Sequence, residues 1–312
     1  MSDSTLYLDV AGQVDVSQPA AVAAAVEQIA VVRHASLDVA LLRTLFTDFE
    51  RLYRGDYPGF FACDTDYHDM HHVLHVTLAA VRLMDGYDQS HDAEEQLGPD
   101  LMLLGIAVAL FHDSGYIRRR GDTRHDHGAE YTRIHVSRSA RFLDEYLPRI
   151  GMGWGSALAA RLVHYTGYEF EPSSIDLPDS RYRALGALIG TADVMAQMAD
   201  PGYLRKCRDH LYREFELAGL AGNKTGTGCE QVRYVSAIDL LRQTPEFMRR
   251  TLDQRLDRLF DGLHRYAGVH FGGRNYYLEA IERNRRHLET LLAIGEERLL
   301  ASDALIPTHA RS

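Results

Sequence analysis

The chain carries sixteen histidines, and where they gather matters more than their number. The densest group is Tyr67-His-Asp-Met-His-His-Val-Leu-His75. On a helix, at about 100° per residue, His68, His71, His72 and His75 share one stripe about 100° wide. Val76, Ala79 and Ala80 continue beside it, so the stripe is expected to face inward. Imidazoles on a buried face are costly unless each finds a partner, and a metal ion serves several at once. The plainer reading, a core histidine held by a hydrogen bond, explains any one of the four better than all four together.

Three further places fit the same chemistry. The run Leu101 to Phe111 is apolar all round, as a central helix would be, and it ends in His112-Asp113. An imidazole and a carboxylate side by side at a buried helix end can share a cation. An isolated His-Asp pair is weak evidence, but the histidine cluster upstream strengthens it. The run Leu185 to Met195 places a lone carboxylate, Asp193, among apolar residues, where it is expensive without a cation or a set of hydrogen bonds. His164 ends an amphipathic helix, and His125 and His127 open another.

The elements that must hold these residues read as helices. Leu41, Leu42, Leu45, Phe46, Phe49 and Leu52 recur at spacings of three and four, and similar patterns predict helices over 67–86, 99–112, 124–147, 154–165, 180–199, 201–218, 230–241, 244–264 and 275–301. Apart from a short strand expected within 5–10, alternation is nearly absent. The expected architecture is an all-α, multi-helix globule. Residues 1–36 read as an N-terminal appendage, 37–218 as the metal-binding core and 219–312 as a helical extension packed on it. That extension either caps the site or forms a homodimer contact. Gly219 to Gly228 reads as a glycine-rich loop, but Lys224 lacks the spacing of a phosphate-binding loop.

Bulk composition sets bounds. Hydrophobic residues make up 46% and charged residues 25% of 312, an ordinary balance with enough chain for a sizeable core. A formal charge of −10 argues against binding nucleic-acid duplexes, and leaves local cations to attract any phosphate. Cys63, Cys207 and Cys229 form no CxxC pair and suit a reducing, cytoplasmic setting. No secretory signal is visible, and no apolar run is long enough to cross a membrane.

Together, His72, His112-Asp113 and Asp193 resemble the ordered H…HD…D signature of the HD-domain superfamily of metal-dependent phosphohydrolases, over roughly residues 40 to 215. Within it, Tyr67-His-Asp-x-x-His72 is similar to the YHNxxH segment of class I cyclic-nucleotide phosphodiesterases, with Asp69 in place of Asn. The resemblance implies that His72 is a metal ligand and that His68 protonates the leaving oxygen. It also departs from that family. Tyr116 stands where a further histidine is expected, and no match to a purine-clamping glutamine is evident. The extra histidines look more like those of bacterial HD proteins with a second metal, which would draw on His164 and on His125 or His127.

The expected function is hydrolysis of a phosphodiester, such as a cyclic nucleotide. One or two divalent ions (Mn, Mg, Zn, Fe or Co) would activate water, with Asp113 positioning it and His68 as general acid. Arg118, Arg119 and Arg120 either grip phosphate or form a solvated loop. Tyr276, Tyr277 and Phe271 either line a pocket or pack in the core. The alternatives are a nucleotide phosphomonoesterase, a di-iron HD-type oxygenase and a non-catalytic binding protein. The expected partner is a small phosphate ester or nucleotide, not a membrane.

Overall fold

The computed structural model describes residues 7–222 and 233–307. Its helices are α1 (Pro19–Arg33), α2 (Val39–Arg54), α3 (Met70–Gln89), α4 (Gly98–Phe111), α5 (His135–Tyr146) and α6 (Ser156–Leu162). They continue with α7 (Ser180–Ala199), α8 (Tyr203–Lys206), α9 (Tyr212–Leu217), α10 (Ala237–Arg250), α11 (Arg265–His270) and α12 (Tyr276–Ile294). Wider π-helical turns follow α8 over Cys207–Leu211 and α10 over Thr251–Leu259. The fold is all-α: among the described residues strand-like pairing is confined to isolated bridges. Among the described residues, no helix is long and apolar enough to cross a membrane.

Burial follows apolar content. Every residue of α4 from Leu101 to Phe111 is buried, as is every residue of α3 from His72 to Asp88. With α7, these helices form the centre of the molecule and pack on one another. Gly105 makes this possible. A Cβ there would lie 2.6 Å from Met84 Sδ and 2.7 Å from a Leu185 methyl, so a side chain would force the helices apart. The outer helices bury one face only. On α1 the residues Val22, Val26 and Ala30 turn inward against α2 and α3.

Several boundaries differ from the expected ones. The strand expected within 5–10 does not form in its described part. Leu8 and Asp15 make a single bridge, and the Asp9 carboxylate accepts from the Gln13 and Val14 amides and pairs with buried Arg82, ending any ladder. The helix expected over 124–147 begins at His135. Before it, the His127 side chain and the Glu130 carboxylate cap a short 3₁₀ turn, Gly128–Tyr131, which satisfies those amides locally. Pro245 sits inside α10 without ending it. Most of the glycine-rich loop expected over 219–228, Lys224 included, lies outside the described residues.

Candidate metal centre

The start of α3 is set by Asp69. Its carboxylate accepts from the His72 amide at 2.8 Å, capping the helix from the position where the resembled motif has asparagine, another good N-cap. His68 therefore lies before the helix, and the expected four-histidine stripe does not hold as one surface. His72 points towards the end of α4, while His71 and His75 turn to Asp200.

α4 stops where Asp113 leaves helical geometry (φ −103°, ψ 7°) and Ser114–Tyr116 tightens into a 3₁₀ turn. This places His112 and Asp113 at the carbonyl end of α4, where the helix dipole favours a cation. His72 Nε2 lies 3.3 Å from Asp113 Oδ2 and 3.5 Å from Asp193 Oδ1. His112 Nε2 lies 3.1 Å and 3.7 Å from the same two atoms. All four residues are buried. Yet His112 Nε2 and Asp113 Oδ2 have no hydrogen-bond partner despite their closeness. Orphaned buried polar atoms are uncommon and call for a cause. His112 Nδ1 donates to the Ala109 carbonyl at 2.8 Å, which leaves the lone pair on Nε2 facing the carboxylates. His72, His112 and Asp113 bring one ligand atom each within 4.8 Å of one another, a donor set for a divalent cation, and Asp193 flanks the two imidazoles.

The buried imidazoles and carboxylates shift one another's protonation. Burial pushes His72 down, but Asp113 and Asp193 outweigh it and hold the ring up at about 10. His112 is raised in the same way, with burial opposing and Asp113 prevailing. Burial pushes the Asp113 carboxyl up, yet His112 and His72 hold it well below the usual range.

A further histidine joins the centre. His135 Nε2 stands 3.6 Å from Asp113 Oδ1, while its Nδ1 donates to the Thr132 carbonyl at 2.7 Å. Gly115 permits this approach, since a Cβ there would lie 1.9 Å from the His135 carbonyl oxygen. The Gly115 amide also donates to Ser139 Oγ at 2.8 Å, locking the turn against α5. Tyr116 is stacked between His68 (4.5 Å) and His135 (4.4 Å). Thus Tyr116 occupies the position of an expected histidine, and α5 brings an imidazole beside it. Buried Glu214 accepts from His68 Nδ1 at 2.6 Å and from the Tyr67 amide at 2.6 Å. Burial pushes its carboxyl up, but His68 and these hydrogen bonds hold it below the usual value. Neither His135 nor Glu214 carries a local sequence signal.

The other histidine candidates have local neighbours of their own. No group of three or more potential ligands among the described residues includes His125, His127 or His164. His125 pairs with Glu130 at 3.2 Å, and His127 accepts from the Ala129 amide as a cap. His164 approaches Glu169 at 3.7 Å and abuts Phe170. Arg118 pairs with Asp64, Arg119 with Glu145, and Arg120 donates to the Gly55 carbonyl. Tyr277 is buried beside Arg82, and Phe271 stacks over the same guanidinium.

A cavity of about 630 Å³ opens beside the centre. His68, Asp113, His135 and Asp193 line one side, and Tyr168, Tyr203, Phe215, Tyr234 and Phe247 supply aromatic surface elsewhere. Its volume falls in the usual range for a small-molecule site. No protein-family model, curated protein or solved structure matches this chain. The geometry of its own residues therefore carries the functional reading.

Proposed function

We propose that this chain is a metal-dependent phosphohydrolase that cleaves a phosphodiester of nucleotide size. The observation that carries the reading is the buried, unpartnered pair His112 Nε2 and Asp113 Oδ2, 3.1 Å apart and flanked by His72 and Asp193. These four residues would hold a cation, and His135, whose Nε2 stands 3.6 Å from Asp113 Oδ1, could serve a second. A divalent cation there supplies a Lewis acid for phosphoryl oxygen and lowers the pKa of water.

The chain's own residues do the rest. Asp113 and Asp193 orient the attacking water and accept its hydrogen bonds. His68 gives a proton to the departing oxygen from Nε2, because Nδ1 is committed to Glu214. Glu214 fixes the ring and balances the charge of the protonated form. Tyr116 holds His68 and His135 in register by stacking on both. The aromatic surfaces of the cavity suit a planar base or aryl group.

A substrate panel tests this. It would contain bis-p-nitrophenyl phosphate, p-nitrophenyl phosphate, cyclic AMP and GMP and common nucleotides, each with Mn, Mg, Zn and Fe. The expected result is cleavage of a diester by the wild type and its loss in Asp113→Ala. No cleavage with any ion, full activity in the variant, or tightly held iron with O₂ consumption would overturn it.

A further inference from the structure

One face of α3 serves the centre described above; the adjoining face carries a second group of ligand atoms. His71 and His75 are one turn apart, and Asp200 follows the last residue of α7. One atom from each lies within 4.8 Å of the others. His75 and Asp200 are buried, and the rings of His71 and His75 stand 4.6 Å apart. His75 Nε2 and His71 Nε2 are buried without a hydrogen-bond partner. A positive charge already reaches the group. Lys206 Nζ lies 2.5 Å from Asp200 Oδ2 and 2.8 Å from His71 Nδ1. It leaves His75 unserved, and its side chain is 22% exposed, on a flexible stem that can swing into water.

We propose that His71, His75 and Asp200 form a second, separate cation site for a zinc-class divalent ion, and that the Lys206 ammonium is its displaceable stand-in. Two imidazoles and one carboxylate are a familiar donor set for such an ion. An ammonium can satisfy the carboxylate and one imidazole, whereas a coordinating ion also engages His75. When the ion binds, Lys206 is released to solvent and the ion ties the first turns of α3 to the corner between α7 and α8. The site is structural in position, since none of its three ligands lines the cavity. It stands independently of the phosphohydrolase reading.

The test is cobalt(II) titration of the chelator-stripped full-length protein, read by visible absorption and by metal content after gel filtration. An equivalent of cobalt is expected that survives His72→Ala and is lost in both His75→Gln and Asp200→Asn. Lys206→Met, which replaces the competing ammonium with a thioether, a poor ligand for cobalt(II), should tighten that equivalent at least tenfold. Melting curves establish that each variant is folded. Should Asp200→Asn fail to fold, His75→Gln and Lys206→Met still decide. Cobalt binding that is indifferent to His75→Gln, or an affinity unchanged by Lys206→Met, overturns the proposal. Failure of the first centre would appear differently, as a missing equivalent sensitive to His72→Ala.

Discussion

His71 and His72 are neighbours in sequence, yet each serves a different cluster, and the clusters balance charge differently. Around His72 two carboxylates, Asp113 and Asp193, face two imidazoles with no lysine or arginine in ion-pair reach among the described residues. Around His71 a single carboxylate, Asp200, already has Lys206. The first cluster borders a cavity and the second does not. The contrast teaches how one helix can carry two kinds of site. Where the protein supplies its own ammonium, the carboxylate is already paired and an external ion must displace that ammonium. Where it withholds one, two carboxylates face imidazoles alone beside a cavity, and the proposed cation chemistry rests on that setting.

The sharpest way to break this contrast is Asp113→Ala. Hydrolysis should fall by roughly a thousandfold, since a carboxylate that would hold the cation and orient the water is lost; steady-state rates on the best diester measure it. Next comes His68→Gln, which should lower kcat about a hundredfold while metal content stays near wild type. Loss of metal instead would make His68 a ligand. Glu214→Gln should cost about tenfold, the scale of one charge-assisted hydrogen bond, and should change the shape of the pH–rate profile.

The pH dependence follows from His72. Its folded value is held at about 10, against 6.5 for an ordinary histidine. Metal-free protein therefore holds a proton there that the unfolded chain has released. That stabilising contribution is complete below about pH 6.5 and is lost as pH rises towards 10. Cation binding displaces the proton, so affinity should rise about tenfold per pH unit over that window for each proton released. Melting temperatures with and without metal across pH 6.5 to 10 measure both trends. The smallest expected effect is that of Gly115→Ala. The intruding Cβ should cost about 1–3 kcal/mol by denaturant unfolding and move His135 from Asp113.

How far the sequence discloses this arrangement depends on the range of each contact. The all-α class and the central position of α4 follow from unbroken apolar content, and His72, His112, Asp113 and Asp193 stand out because polar groups are conspicuous in such surroundings. What was not legible is long-range. Glu214 meets His68 across 146 positions of sequence, and nothing in its own segment marks it. His135 reaches Asp113 only because Gly115 lets α5 approach. Helical spacing puts the four histidines of the motif on one stripe, but Asp69 starts the helix after His68, and different neighbours cover the two edges of the stripe. His125 and His127 stand out by their spacing, but their partners are local.

The most direct test of the central claim is diester hydrolysis by one preparation before chelation, after chelation and after a divalent ion is restored, beside Asp113→Ala. The account predicts that wild-type activity disappears with the metal and returns with it, while the variant stays inactive throughout. Hydrolysis that persists after the metal has been removed, or that the variant retains in full, would contradict it.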